Sequence, residues 1–435
     1  MSTAPGTPVT GQNSALTLSA SSRSNGQLTV LTMDVVSVTL KDQSGHSVSL
    51  LSSPQTVEFI HTNGDPEPIA QGLIPQGTYT SAAITYNTLN ASYLGFTQPN
   101  TITSYTGTGG STATTTVNFT TPLTISGKAM VIPLDLLTSQ SASLPPAGGP
   151  DIKFSPAFSL ESQPVASTSE PASSLLVGRV SAVNAASSTL QLNTIDDAQL
   201  TFRTNGSTSF QGIADISAVQ PGMFAMVGTS VQDDGGLLAN NIQIIDPTVK
   251  DIAVGIISSV YTSGRDMFLQ IGQREGDDLA MIPSFGEAPI HFASNATFAV
   301  SRQVSTALPF SPGFNLMSLM PGQRLSIGSP NLASSNGSYP VAGTVTLLPQ
   351  TINGTVANVT TSGSYTVYTL ALAPYDPISL LNGGAEVSVY VDAATQNLAS
   401  SALSSGSLLR MHGLLFSDHG VPRLVCDWIK DGVAE

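Results

Sequence analysis

The 435 residues include one cysteine, one tryptophan and only 14 lysines and arginines. A single thiol, Cys426, makes no internal disulfide and lacks the partners for a structural zinc site. Leu424, Val425 and Trp428 flank it, so it is expected as a small buried hydrophobe in a strand. Charged residues are 10 % of the chain, against about 25 % in an ordinary soluble domain. Asp and Glu number 28, which leaves a formal net charge of −14. That balance argues against nucleic acid, whose affinity comes largely from Lys and Arg on phosphates, and against a basic face held to an anionic membrane. Arg179, Arg203, Arg265, Arg274, Arg302, Arg324, Arg410 and Arg423, eight of the nine arginines, are scattered through an acidic sequence. No run approaches the ~20 apolar residues of a membrane-crossing helix. Helical periodicity is scarce too, with short candidates at Asp215–Val219, Phe314–Met320 and Asp392–Leu403.

What fills the space is hydroxyl: 58 Ser and 46 Thr, or 104 residues together. A hydroxyl-coated surface is common among secreted β-rich proteins. Met1 leads straight into the polar stretch Ser2–Asn13, so two readings compete, a cytoplasmic chain and an exported one whose signal lies outside this sequence. Composition favours the second. The stretch 1–26, rich in Ser, Thr, Pro, Gly and Asn, is expected to be a flexible tether.

Alternation of apolar and polar residues dominates the rest. Val36, Val38 and Leu40, Leu190 and Leu192, and Val387, Val389 and Val391 each skip one residue, the period of strands buried on one face. Turn signals recur, at Gln43–His46, Thr62–Asp65, Asp233–Gly236 and Ser335–Gly337, in the rhythm of sandwiches and barrels. Residues 161–174 have linker composition. Beyond them the chain repeats. Gly178-Arg179-Val180 matches Gly255-Ile256-Ile257 and Gly354-Thr355-Val356, and Pro221-Gly222 leading to Gly228 matches Pro321-Gly322 leading to Gly328. In the third copy Ser405-Gly406 leads to Gly413, without the proline. The expected organisation is all-β: an N-terminal β-sandwich at 27–160, the linker, then three tandem small OB-like β-barrel modules at 175–247, 251–348 and 351–431. Pro before Gly fits a tight turn with Gly at positive φ, and Gly inside a strand fits a sharp barrel bend.

On Gly178-Arg179-Val180, Thr189–Leu192, Pro221-Gly222 with Val227-Gly228, and Leu238–Ile242, the three C-terminal units resemble a bacterial family of small OB-like barrel repeats of unknown function. On Leu31–Leu40, Leu73–Tyr79 with Ala82–Thr85, and Val131–Leu137 followed by Phe154–Phe158, the N-terminal part is similar to a β-sandwich family of predicted bacterial lipoproteins and secreted proteins. The resemblance implies an envelope or exported location, outer membrane-anchored or extracellular, often with a lipid anchor upstream. It is nearly silent on activity.

Motifs for chemistry are few. There is no Gly-x-Ser-x-Gly elbow and no His-Glu-x-x-His. The histidines His46, His61, His291, His412 and His419 are expected in loops or hairpins, exposed or hydrogen-bonded; His412, Asp418 and His419 are close enough in sequence for a hairpin metal site. The Gly-rich stretch 107–111 has no following Lys and reads as a hairpin tip. Acidic turns at Asp196-Asp197, Asp233-Asp234 and Asp277-Asp278 offer oxygen ligands for calcium, although none follows a full calcium-loop spacing and an ordinary solvated turn is the favoured reading. Tyr79, Tyr86, Tyr93 and Tyr105, amid Asn and Gln, are the candidate glycan-binding residues, with core packing as the competing account. The functional expectation is a non-catalytic exported or cell-surface protein with a structural or interaction role, without a cofactor unless the acidic turns take calcium. Its partners would be other surface proteins or itself, through strand edges. The alternative is a glycan-binding surface protein.

Overall fold

Period-two alternation becomes strands that bury one face, and the strands close into barrels or stack in pairs. The computed structural model describes residues 7–94, 102–106, 112–143, 153–165, 175–305, 307–333, 335–336 and 339–434. Strands account for 61 % and helices for 4 %, so the all-β expectation holds. Leu190 and Leu192, with Leu200 and Phe202 on the neighbouring strand, are fully buried while the residues between them face outward. In strand Leu28–Asp42 the buried set shifts phase, from Met33 and Val35 to Val38 and Leu40. A bulge between Val35 and Ser37 makes the shift, since one extra residue turns the side chains over.

The N-terminal domain has two sheets around one core. One sheet has the order Phe158–Leu160, Ala129–Leu137, Asn13–Arg23, Glu67–Pro75. The other is built on Leu28–Asp42 and Gly77–Leu94, with Ala113–Ile125 along one side of the latter. Leu18, Ile74, Ile132 and Leu134 of the first sheet meet Leu31, Met33, Leu40 and Ile84 of the second. The expected tether at 1–26 is therefore corrected: Asn13–Arg23 is an interior strand, parallel to Ala129–Leu137 and antiparallel to Glu67–Pro75. Its alternating Leu16, Leu18 and Ala20 are buried, a pattern that the surrounding serines and threonines obscure. The linker at 161–174 is shortened too, because Gln163–Pro164 pairs with Ala129–Leu137; positions 166–174 lie outside the described residues, as do 107–111.

Each barrel has five main strands in the spatial order 1-2-3-5-4-1. In the first these are Leu175–Asn184, Thr189–Thr194, Gln199–Arg203, Phe224–Val231 and Leu237–Ile244. The third and fifth close the barrel in parallel, at Phe202↔Leu237 here, His291↔Val341 in the second and Ser388↔Arg423 in the third. This is OB-like closure. The repeated landmarks acquire physical reasons. Gly222, Gly322 and Gly406 have φ of 92°, 88° and 89°, and their N–H groups donate at 2.8 Å to Val180, Ile257 and Val356. That bond survives in the copy without proline. A Cβ on Gly178 or Gly255 would lie 2.2 Å from Asn193 O or 2.0 Å from Gln270 O, so the partner strand presses on the bend. Gly255→Ala is expected to cost about 3 kcal/mol in urea unfolding, as overpacking against backbone. Gly72→Ala, where nothing lies within 4 Å, should stay within about 1 kcal/mol.

Of the short helical candidates, two become single 3₁₀ turns, Ile216–Ala218 and Leu316–Ser318. The third, Asp392–Leu403, is a turn followed by the short strand Gln396–Asn397. The barrels are not separate beads. Val177, Phe224 and Met226 of the first share a core with Ile252, Val254 and Leu348. Tyr365, Tyr390, Leu414 and Phe416 of the third join the core of the second. Phe310, between the third and fourth strands of the second barrel, packs at a tilt against Tyr390 and Phe416, with ring centroids 5.0 and 6.1 Å away.

Candidate functional site: a buried ionic junction

The eight residues between strands Gln55–Glu58 and Glu67–Pro75 enter the space where the N-terminal domain meets all three barrels. Phe59, fully buried against the core, anchors the segment. Glu58 shapes it: its carboxylate accepts from the backbone N–H of Leu31 at 2.8 Å, Ile60 at 3.1 Å and His61 at 2.9 Å. Thr62 Oγ1 donates to Phe59 O, and Asn63 bonds both ways with the Ser24 backbone. Gly64 has φ of 74°, and a Cβ there would lie 2.8 Å from Trp428.

His61 stands between two glutamates, with Nδ1 2.9 Å from Glu58 Oε2 and Nε2 3.0 Å from Glu67 Oε1. Asp196, from the first barrel, completes a group whose ligand atoms all lie within 4.8 Å of one another. Gln273 of the second barrel donates to Asp196 Oδ1 at 2.6 Å. Arg324 of the second barrel shares a cavity of ≈ 10 Å³ with this group, room for about one water or ion. From the third barrel, Thr351 donates to Asn63 O at 2.7 Å and meets His412 Nδ1 at 3.0 Å. His412 lies flat on Trp428, with centroids 5.0 Å apart and an interplanar angle of 3°. Arg410 Nη1 donates to Asn63 Oδ1 at 3.0 Å, and Lys430 Nζ reaches Gly64 O.

Burial and charge divide these groups. Burial disfavours a charge on His61, but Glu67 and Glu58 outweigh it and Arg324's opposition, and its pKa is pushed up to about 10. Burial raises Glu58 as well, yet the bonds and charge of His61 and the backbone donors bring it below the usual carboxylate range. Asp196 and Asp65 are each pushed up to about 7, chiefly by burial. His412 is pushed down to about 3 by burial and then by Arg324 and Arg302. With Thr351 donating to Asn63, His412 donates from Nδ1 and remains a neutral ring. The arrangement is thus an imidazolium clasped by carboxylates beside a neutral imidazole stack. Such a cluster can hold a cation or lock domains together.

His61 lies in a turn and His412 in a hairpin strand, each hydrogen-bonded, and what the sequence did not indicate is their burial: their side chains are 4 % and 5 % exposed. His412 lies in the middle of strand Leu408–Asp418 and Asp418 at its end, where Asp418 faces Arg423, so the hairpin metal site does not form among the described residues. Tyr79 and Tyr86 are core residues. Tyr79 OH donates to Pro75 O at 2.8 Å, which closes Pro75-Gln76-Gly77-Thr78-Tyr79 as a corner between two strands. Their rings are not available to a glycan. The side chains of Tyr93 and Tyr105 lie outside the described residues. The acidic turns are spread apart: Asp234 pairs with Arg203, Asp277 with Arg179, and the N–H groups of Asp277 and Asp278 donate to Asp251. Asp233 is exposed beside them. Cys426 is buried, as expected. One signal for the junction was in the sequence: in a chain this poor in charge, the stretch 58–67 holds Glu58, His61, Asp65 and Glu67.

The class defined is an all-β chain of tandem OB-like barrels joined to a two-sheet domain. No family model and no curated protein matches the sequence. Among solved structures, drosophila Unr CSD456 matches at 10 % identity over 62 % of this chain and all of that one, with a TM-score of 0.14. That score carries no argument about fold or function.

Proposed function

We propose that this is a non-catalytic exported or cell-surface protein with a structural or interaction role, which assembles with itself or with other surface proteins through a strand edge. The observation that supports the reading most is strand Ala113–Ile125. Its recorded pairing is with Gly77–Leu94 alone, so its other edge has no strand partner among the described residues. It carries no charge, and among the described residues its guards are Pro122 and Ser162, whose Oγ donates to Thr124 O at 2.9 Å near the strand's end. Ala113, Val117 and Phe119 pack inward while Thr114, Thr116 and Asn118 face out, a template for strand addition. The junction complements it by tying the N-terminal domain to the barrels. Hydroxyl-rich composition supports the exterior location. The glycan-binding alternative is not carried forward, because Tyr79 and Tyr86 serve the core.

Light scattering over a hundredfold range of concentration tests the assembly. The expected result is a mass that rises with concentration, and Thr116→Lys, which places a charge on the edge, returns it to that of one chain. A wild-type mass that stays at one chain throughout defeats the self-assembly reading.

A further inference from the structure

We propose that His61, Glu67 and Asp196 bind one divalent transition-metal ion, which clamps the N-terminal domain to the first barrel. The donor set, one imidazole and two carboxylates, suits zinc and its first-row neighbours. An ion about 2.0–2.2 Å from each donor holds tetrahedral neighbours about 3.3 Å apart. His61 Nε2 and Glu67 Oε1 stand at 3.0 Å, and the Asp196 oxygen lies within 4.8 Å of both, so a shift of roughly 1.5 Å closes the set.

Two further features point to an ion. Glu58 engages His61 Nδ1, which aims Nε2 at the two carboxylates, the orientation that a carboxylate imposes on a metal-binding histidine; the ion takes the place of the Nε2 proton of the imidazolium, which is released to solvent, so binding weakens as pH falls. Glu58 is thus a positioning residue. The second is the cavity itself, lined by His61, Glu67, Asp196 and Gln273 and large enough for one ion. Arg324 lines it too, and its guanidinium donates to Pro349 O at 3.2 Å. Its charge lowers affinity relative to an isolated triad, while Glu58, Glu67 and Asp196 together still outnumber it. The ligands come from two domains, so occupancy draws them together.

The test uses the whole chain after chelator treatment, titrated with zinc by calorimetry. One ion per chain is expected. Glu67→Gln and Asp196→Asn, which keep side-chain shape, should each weaken binding at least tenfold. Glu58→Gln should weaken it about 10–100-fold, while the surface change Asp234→Asn leaves it unaltered. Zinc should also raise the melting temperature of the wild type and not that of the two ligand variants. X-ray absorption on the zinc-loaded wild type gives a reading independent of any variant's folding: one imidazole with oxygen ligands is expected. Absence of wild-type binding, binding unchanged in both ligand variants, or a shell with no imidazole or more than one overturns the proposal.

Discussion

Glu58→Ala is expected to destabilise the protein by about 3–5 kcal/mol at pH 7, the cost of leaving a buried charge without its partner. The side chain is 6 % exposed. Its removal leaves the His61 imidazolium with one carboxylate and deprives the N–H groups of Leu31, Ile60 and His61 of their acceptor. Each stranded donor costs about 1–3 kcal/mol, not additively, because the turn relaxes. Glu58→Gln keeps an acceptor and should lose less. Trp428 is the only tryptophan and is 3 % exposed at the same junction, so its emission reports the opening directly. In urea, the Glu58→Ala midpoint should fall and the emission redden first. A loss below about 1 kcal/mol would show that the segment is held by Phe59 and the barrels rather than by its charges.

Asp376→Asn should remove a pH dependence and stabilise the protein at alkaline pH. Asp376 caps the short helix Pro377–Asn382, accepting from Ile378 N at 2.8 Å, and is 5 % exposed. Burial pushes its pKa up to about 7 from 3.8, against the pull of the Ile378 and Ser379 amides. The sign follows from the two states. Below pH 3.8 the carboxyl is neutral folded and unfolded. Above it the unfolded chain ionises while the folded chain holds the proton, so stability falls until about pH 7 and then levels. A carboxyl raised this far corresponds to about 4 kcal/mol at most. Asn keeps a good cap and cannot ionise. The variant should match wild type near pH 4 and exceed it by about 2–4 kcal/mol at pH 8. Asp65 and Asp196 act in the same direction in both proteins, whereas His412, pushed down to about 3, favours the folded state above pH 6.5, with that gain lost as pH falls toward 3. These effects cancel in the difference between the two proteins. Parallel stability curves from pH 4 to 8 would refute the assignment.

The strands of the barrels were legible because each is a local pattern. Leu190 and Leu192, or Val387 and Val389, declare a buried face within five residues, and Pro221-Gly222 marks its own turn through a backbone angle. Strand Asn13–Arg23 was hidden because composition outweighed pattern: serine and threonine fit a buried strand as well as a tether when their hydroxyls find carbonyls, as Ser22 Oγ does at Phe59 O, 2.5 Å away. The tyrosines misled for a similar reason, since a ring in a core and a ring on a binding face look alike in one dimension.

The sequence by itself determined the barrel strands, the repeat and the turn glycines, since each depends on residues within a few positions of one another. Tertiary structure decided that the barrels share cores and that His61, Asp196, Arg324 and His412 meet. Those residues are separated by more than a hundred positions at the first step alone. Their encounter is fixed by how whole domains pack, and charges acquire shifted pKa values only once that packing has removed water from around them.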